Sequence, residues 1–288
     1  MNPSTLDARL ADWRQWIGRS ERLTDLATAA PIAGLAATLD RDEPEPPPGS
    51  DIPPLAHWFY FLPRAPQSEL GADGHPHRGG FLPPVPLPRR MWAGGRLEFH
   101  HPIRVGDEIT RVSRIMGVDA KSGRSGELVF VTVRHEVTNA QGLALAEEHD
   151  IVYRDLPQPG SKAPDPQPAP EGATFQREIV PDAVMLFRYS ALTFNGHRIH
   201  YDRSYVTDVE GYPGLIVHGP LIATLLVDLL RRERPDARLK RFAFTALRPT
   251  FDIHRFTVCG RDAGNATFPL WAQDHEGFLT MRAEAVIA

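Results

Sequence analysis

In the second half of the chain, one long apolar stretch is followed only by short alternating ones. Residues 217–230 are almost continuously apolar and lead into Arg231, Arg232, Arg234 and Pro235. Because cations stabilise the last turn of a helix and proline cannot continue it, this pattern predicts a buried helix. The flanking runs, rich in β-branched and aromatic residues, predict strands at residues 175–180, 242–247, 256–260, 266–272 and 278–287, and a polar loop is predicted at 190–214.

The first half follows a similar order. Helical patterns occur at residues 6–16 and 31–39, and the aromatic segment 55–62 is predicted to be the buried helix of this half. One predicted strand places Val131, Val133 and Val137 on a single face, with His135 in the same row. Antiparallel strands around a central helix indicate an α+β fold. The predicted strands of this half are 95–99, 108–116, 128–138 and 144–154.

The two halves repeat one pattern of strand, kink and strand ending at glycine. Residues 97–107 carry it in the first half, and residues 247–260 carry it in the second. Two copies of one unit in a chain indicate a fused pseudo-dimer. Six prolines within residues 157–170 predict an extended linker between them. We therefore expect an N-terminal domain at 1–156, a Pro-rich linker at 157–172 and a C-terminal domain at 173–288.

Composition narrows the class of protein. The 28 prolines argue against an all-helical bundle, and the net charge of −4 provides no basic surface for nucleic acid. Cys259 is the only cysteine, so no internal disulfide can form. A reducing compartment, and hence a cytoplasmic location, is expected. No targeting segment or membrane span is predicted.

Polar residues are concentrated in residues 188–202, and a His218-Gly219 pair follows at the predicted start of the long helix. This arrangement resembles the MaoC-like family of hot-dog-fold enoyl-CoA hydratases and 3-hydroxyacyl-thioester dehydratases. In that family the motif D-x-N-P-x-H precedes an apolar-apolar-His-Gly step, and here His200 matches the motif histidine. The sequence of residues 193–202 and 210–221 is most similar to mesaconyl-C4-CoA or itaconyl-CoA hydratases and to mitochondrial-type 3-hydroxyacyl-thioester dehydratases.

The resemblance implies a double hot-dog fold, in which two fused units each wrap an antiparallel sheet around a long helix. It implies catalysis in the C-terminal unit and a divergent, non-catalytic N-terminal unit. The function implied is reversible hydration of a 2-enoyl thioester, with a short branched or dicarboxylic acyl group such as mesaconyl or itaconyl. The substrate would be an acyl-CoA or an acyl-carrier protein, and the two-domain chain would be able to form a homodimer.

One departure from the motif changes the expected chemistry. Its aspartate position holds Asn195, which can orient a water but cannot take its proton. We therefore expect His200 to act as acid and base in turn, Asn195 to hold the water by its amide oxygen, and the N–H at Gly219 to polarise the thioester carbonyl. The residues expected to contact substrate are His197, Arg198, Tyr189 and His218.

Two alternatives to a hydratase remain at this point. A thioesterase on the same fold would need a group that activates a nucleophile near the helix start, and Asn195 weakens a direct carboxylate role. A non-catalytic acyl-thioester-binding protein would explain the missing aspartate. No cofactor or metal is expected, since two loop histidines, His75 and His77, without a cysteine or carboxylate partner are poor evidence for a metal site. Cations available for a second carboxylate of the substrate are Arg89, Arg90, Arg188 and Arg198.

Overall fold

Ten strands of the described chain form one continuous antiparallel sheet. The computed structural model describes residues 5–123, 126–155 and 165–288. The strand order is β1-β3-β4-β5-β2-β7-β10-β9-β8-β6, so the first half supplies one side of the sheet and the second half the other. The strands are β1 Ser20–Leu26, β2 Arg89–Phe99, β3 Glu108–Gly123, β4 Gly126–Asn139, β5 Gly142–Arg154, β6 Phe175–Ile179, β7 Leu239–Ala246, β8 Phe256–Gly260, β9 Thr267–Gln273 and β10 Leu279–Ile287.

The helices of the described residues are few, and one of them is central. The α-helices are α1 Thr5–Arg14, α2 Ala29–Thr38, α3 Ala183–Thr193 and α4 Gly219–Glu233. The shorter helical turns are Ala56–Phe59, Gln67–Glu69, Arg198–His200 and Tyr205–Val209. None of the helices described is long and apolar enough to cross a membrane. Helix α4 confirms the predicted buried helix, and it packs against β8, β9 and β10.

One charged residue in the middle of α4 connects the two halves. Asp228 is buried, and its carboxylate accepts hydrogen bonds from Arg41 at 2.7 Å, Arg177 at 3.3 Å and Arg232 at 2.8 Å. The guanidinium groups of Arg177 and Arg232 also donate to the carbonyl of Leu39, just after α2. A buried carboxylate is stable only when it is paired in this way. Asp228 therefore fixes the end of α2 against α4.

The first half differs from the sequence prediction in its helix. Residues 55–62 do not form a long buried helix; they contribute only the 3₁₀ turn Ala56–Phe59. Leu55 and Phe61 on either side of the turn have φ angles of 70° and 55°, which end any regular helix. Prolines at 53, 54 and 63 leave no room for another turn. Helix α2, which covers most of the predicted helical segment 31–39, is the helix that packs into this half.

Two elements were missed in the sequence. Residues 183–193 form α3, whereas the loop prediction began at residue 190. The Asp182 side chain caps α3 by accepting from the N–H of Met185 at 2.7 Å, and Phe194 ends it in the left-handed region. Strand β1 was also missed, because most of its side chains are polar and exposed at the edge of the sheet.

The predicted linker lies partly outside the described residues. Residues 157–164 belong to that part, whereas 165–172 are described. The N–H of Leu279 donates to the carbonyl of Gln167, and the N–H of Ala169 donates to the carbonyl of Gly277. The described end of the segment therefore lies along the second half. The division into domains at residues 156 and 173 stays a prediction.

The two halves join where β2 pairs with β7. The register places Gly94 opposite Thr245 and Gly95 opposite Phe244. A β-carbon on Gly94 would lie 2.5 Å from the carbonyl oxygen of Phe244, closer than any side chain can approach. A register shift just before Gly94 marks a bulge, and the Trp92 indole donates across it to the carbonyl of Gly94 at 2.8 Å. The junction therefore depends on glycine.

We predict that Gly94→Ala weakens the junction. The added methyl must displace the backbone of β7, a change that costs about 1–3 kcal/mol of unfolding free energy in a well-packed site. The measurement is urea denaturation, with Gly117→Ala as the matched control. Gly117 is a strand glycine with open space where a β-carbon would be added. Equal stability of the two variants would contradict the close packing of β2 on β7.

Candidate active site

A cavity of about 240 Å³ lies where the two halves meet. One wall comes from the second half and includes the start of α4 and the end of α3. The opposite wall comes from β2–β5 and from the 3₁₀ turn of the first half. The residues from the second half are Tyr189, Thr193, Asn195, His218 and Pro220, and those from the first half include His57, Trp58, Tyr60, Phe61, Trp92, Arg111, His135, Glu147 and His149.

Asn195 enters this cavity from the segment that follows α3. Phe194 has a φ of 48°, so the chain turns sharply there and brings the next residue to the cavity wall. The Asn195 Oδ1 accepts the backbone N–H of His197 at 3.1 Å, which forms a local turn. The Nδ2 group makes no hydrogen bond with the described residues. Asn195 therefore offers its N–H groups to a ligand, and its oxygen, which accepts from the turn, keeps a second lone pair for a water.

His200 lies just behind this wall, 8% exposed, and is not among the residues lining the cavity. Its Nδ1 lies 2.7 Å from the carbonyl oxygen of Ile216. Since a carbonyl only accepts, Nδ1 must carry the proton and Nε2 the free lone pair. Burial lowers the pKa of His200 to about 4, and the hydrogen bond to Ile216 only partly opposes this. His200 is therefore neutral at pH 7 and equipped to act as a base.

His218 is the cavity-lining partner of His200. The two imidazole rings stack with centroids 3.7 Å apart and an angle of 18° between their planes. His218 Nε2 lies 2.8 Å from the hydroxyl of Ser190, whereas its Nδ1 is buried without a hydrogen-bond partner in the described chain. Burial, and then the neighbouring rings of His200 and His197, lower the pKa of His218 well below its ordinary value. The pair is therefore a neutral imidazole stack at one wall of the cavity.

The predicted helix start at Gly219 is confirmed. Helix α4 begins there with His218 as its N-cap residue and Pro220 in its first turn. Backbone N–H groups in a first helical turn lack intrahelical partners and favour a negative oxygen. A β-carbon on Gly219 would meet only the carbonyl oxygen of Trp92, at 4.0 Å. The protein itself does not fill that space, so the helix start is accessible to a thioester carbonyl.

Tyr189 is fully buried in α3 and lines the cavity. Its hydroxyl lies 3.4 Å from the Thr224 hydroxyl on α4, and burial raises its pKa above the ordinary value. The ring lies 5.1 Å from that of His218 and 5.9 Å from that of Phe59. Tyr189 therefore connects α3, α4 and the first half.

His197 and Arg198 lie outside the cavity wall. The Arg198 guanidinium is paired with Asp202 at 2.7 Å and donates to the carbonyl of Ala72 at 2.9 Å. Its backbone N–H donates to the carbonyl of Asp73 at 2.9 Å. Gly74, with a φ of 86°, approaches so closely that a β-carbon would lie 1.9 Å from the Gly196 oxygen. His197 and Arg198 therefore lie where residues 72–74 of the first half pack against the motif loop, residues 195–200. Their predicted contacts with substrate stay predictions.

A group that could hold a metal lies at this support. Asp73, His75 and His197 each offer a ligand atom, and these atoms lie within 4.8 Å of one another. The Asp73 carboxylate is 3.0 Å from His75 Nδ1, so the sequence argument missed a carboxylate partner for His75. Burial is the main cause that lowers the pKa of His197 to about 2. The expectation that the protein needs no metal is untested by this arrangement.

The sequence argument also missed the opposite wall. Glu147 on β5 is 2% exposed, and its carboxylate accepts from three groups. His57 Nε2 donates at 2.7 Å, Trp58 Nε1 donates at 2.9 Å, and His149 Nε2 donates as well. Burial alone would raise the pKa of Glu147, but the imidazoles of His149 and His57 lower it well below its ordinary range. A buried carboxylate and its donors therefore line the cavity from the first half, which was expected to be non-catalytic.

A signal for this wall is present in the alternation of the strands. Core-facing positions of β3, β4 and β5 are apolar except at the centre of each strand. There the register brings Ser113 opposite His135, and His135 opposite Glu147. Polar residues in a core-facing row need a reason. In the sequence, Arg111, His135, Glu147 and His149 stand in such rows beside Ile109, Val133, Leu145 and Ile151.

Comparison with known proteins identifies the family to which the chain belongs. Residues 55–252 match the family described as hydroxyacyl-thioester dehydratase type 2. The chain belongs to this family. Its relatives include the mesaconyl-C(4)-CoA hydratase of Chloroflexus aurantiacus, 49% identical over 278 residues, 95% of this chain and 97% of that protein. They also include the mitochondrial hydroxyacyl-thioester dehydratase type 2 of Schizosaccharomyces pombe, 29% identical and covering 84% and 90% of the two chains.

Solved structures agree on the fold. A MaoC-like dehydratase from Phytophthora capsici superposes with a TM-score of 0.71 at 15% identity, covering 96% of this chain and 98% of the other. The double hot-dog prediction is therefore confirmed for this member of the dehydratase family. Its relatives are named hydratases and dehydratases, and the expected enzyme class, a hydro-lyase, is confirmed as well.

We predict that stability falls in mild acid through His200. Its pKa is about 4 when folded and near 6.5 in an unfolded chain, so unfolding takes up a proton between these values. The resulting stabilisation is present above pH 6.5 and is lost as the pH falls through 4. One such proton contributes a slope of about 1.4 kcal/mol per pH unit.

Urea denaturation from pH 4 to 7.5 measures this slope. His200→Gln is expected to reduce it by up to one proton relative to the wild type. His254→Gln, which removes an exposed ring outside the site, is the control. An unchanged slope in His200→Gln would show that this imidazole does not resist protonation.

Proposed function

We propose that this dehydratase-family protein catalyses the reversible hydration of a 2-enoyl thioester, which is dehydration of a 3-hydroxyacyl thioester in reverse. The substrate proposed is an acyl-CoA with a short branched or dicarboxylic acyl group, of which mesaconyl is the example. The 49%-identical hydratase supports the reaction and this type of acyl group. The small cavity supports a short acyl group, because drug-sized ligands occupy about 300–1,000 Å³ and this cavity is about 240 Å³.

One observation carries the proposal. The start of α4, Asn195 and His218 line a single cavity, with the neutral His200 stacked directly behind His218. Hydration needs an electrophilic β-carbon, a positioned water and a group that moves a proton. Helix-start N–H groups, an amide and an imidazole match these three needs.

The steps are assigned to named groups. The N–H at Gly219 and the helix dipole stabilise negative charge on the thioester oxygen, which draws electrons from the double bond. The Asn195 amide orients the water beside the β-carbon. His200 Nε2 takes a proton from this water as its oxygen bonds to the β-carbon, and the same proton is delivered to the α-carbon. One base can serve both transfers, so the absence of the motif aspartate does not prevent the reaction.

His218 has a supporting role in this scheme. Stacked on His200 and linked to Ser190, it keeps the base in place and excludes water from one side. Two imidazoles 3.7 Å apart cannot both be charged without strong repulsion, so the stack carries at most one proton during turnover.

The remaining expectations are part of the same proposal. The reaction requires no metal or redox cofactor. We place the enzyme in the cytoplasm as a chain able to form a homodimer, in keeping with its single cysteine, which is buried. A hydratase would consume the enoyl group, a thioesterase would release free thiol, and a binding protein would do neither. One assay that follows both signals therefore separates the three functions.

The first experiment follows enoyl absorbance and free thiol while crotonyl-CoA and mesaconyl-C4-CoA are each incubated with the protein. Loss of absorbance without thiol is expected. His200→Ala is expected to lower kcat by about 10²–10⁴-fold with the fold intact, as for loss of a general acid–base. His254→Ala is the control for loss of a histidine elsewhere. A His200→Ala variant with more than about a third of wild-type turnover would remove His200 from the mechanism.

The second experiment addresses the missing aspartate. Asn195→Asp keeps the oxygen that accepts from His197 N–H, whereas Asn195→Ala loses both the turn and the water-orienting group. We expect the aspartate variant to retain a kcat at least about tenfold above that of the alanine variant, since orientation matters mainly in the transition state. Asn265→Asp, at an exposed turn, is the control. Equal loss in both Asn195 variants would mean that the amide N–H itself is required.

A further inference from the structure

One cation in the cavity wall, Arg111, has no hydrogen-bonded anion within the part of the chain that is described. Arg111 on β3 is 24% exposed at its side chain and lines the cavity. Its guanidinium makes no side-chain hydrogen bond with the described residues, and its buried Nε has no partner. The carboxylate oxygen paired with it, from Glu21, is 3.8 Å away, beyond hydrogen-bond distance. Arg111 also lies over the ring of Phe61, 5.1 Å from its centroid.

The buried carboxylate of this wall does not neutralise Arg111. Both oxygens of Glu147 are already engaged by His57, Trp58 and His149. Burial of Arg111 lowers its pKa, and the charges of Glu21 and Glu147 only partly compensate. A buried guanidinium that lacks hydrogen-bonded anions is costly. The guanidinium of Arg111 therefore lacks a hydrogen-bonded counter-ion among the described residues of this wall.

The other cations considered from the sequence are already occupied. Arg89 contacts Glu210 at 3.4 Å, Arg198 is paired with Asp202, and Arg188 donates to the carbonyl of Ala37. Arg90 interacts with the Tyr153 hydroxyl. Within the described chain, Arg111 is the one arginine or lysine that lines the cavity containing Asn195 and His218.

We propose that Arg111 binds a carboxylate on the acyl group, so that the substrate is a monothioester of a short dicarboxylic acid. This inference rests on the proposed hydration, and it assigns specificity to the first half of the chain. Guanidinium suits a carboxylate because its planar N–H groups match the two oxygens. The acyl group would lie across the junction of the two halves, with its thioester at the start of α4 and its carboxylate at Arg111 on β3.

A second source of anion is tested in the same experiment. Arg111 also borders a neighbouring groove of about 570 Å³, which shares Phe61, Leu62 and Pro63 with the cavity. A phosphate of CoA in that groove would meet the same cation. Crotonyl-CoA has the same CoA but no second carboxylate, so comparing it with mesaconyl-C4-CoA separates the two sources.

The experiment compares Arg111→Gln with the wild type on both thioesters. Kd is measured by calorimetry, and kcat/KM by enoyl absorbance. We expect affinity and kcat/KM for mesaconyl-C4-CoA to fall about 10- to 150-fold, the range for a lost hydrogen bond to a charged group. Values for crotonyl-CoA are expected to stay within about threefold, which also shows that the variant is folded. Arg114→Gln, an exposed position on the same strand, is the matched control.

The outcomes are distinct. Equal losses on both thioesters would assign Arg111 to CoA or to folding and overturn the inference. Unchanged values on both would overturn it as well. Hydration of crotonyl-CoA alone by the wild type would leave the proposed function standing and refute the carboxylate site. If neither thioester were hydrated, the proposed function would fail, and the ratio of Kd values would still decide whether Arg111 selects the carboxylate.

Discussion

The pairing of β2 with β7 is the constraint on which the site depends. Main-chain hydrogen bonds between these strands make one sheet from two halves, and Gly94 allows the strands to come together. The bulge beside that glycine places Trp92 in the first-half wall of the cavity, where its ring lies 3.9 Å from His149 and 5.0 Å from Trp58. A shift of the β2–β7 pairing would separate the start of α4 from the wall formed by β2–β5. The cavity is therefore a property of the junction and belongs to neither half alone.

Electrostatics divides the cavity into two different ends. At the α4 end, burial keeps His200 and His218 neutral, which suits a base that must accept and return one proton. At the strand end, the carboxylate of Glu147 accepts from three donors, while the charge of Arg111 is only partly compensated and its Nε has no hydrogen-bond partner in the described chain. In the proposed reaction, the neutral end would transfer the proton and the cationic end would bind the carboxylate of the same substrate.

The second half could be predicted from sequence more fully than the first. Helix α4 is encoded by a continuous apolar run with clear ends, and its strands alternate regularly. Residues 55–62 have equally apolar character, yet Leu55 and Phe61 take positive φ angles that only tertiary packing can impose. The loop prediction from residue 190 failed because α3 exposes the apolar Val184 and Phe187 while it buries Ser190, so its apolar residues do not mark one helical face.

The site residues show the same division. His200, Asn195 and Gly219 are consecutive parts of a motif, so sequence could find them, although it could not show that His200 lies behind His218. Arg111, His135 and Glu147 come from three strands and meet only through sheet register, which no local pattern specifies. Their polar character at core-facing positions was visible, but its meaning depended on a cavity being there.

Fusion of two units explains why the halves differ so much. In a dimer of identical units each copy would have to provide a helix start, a motif loop and a binding wall. In one chain, the second half keeps the long helix and the motif loop. The first half contributes the short turn Ala56–Phe59, which brings His57 and Trp58 to Glu147. The polar groups that the first half adds to the cavity wall are therefore the part of the fold on which the proposed recognition of a substrate carboxylate by Arg111 depends.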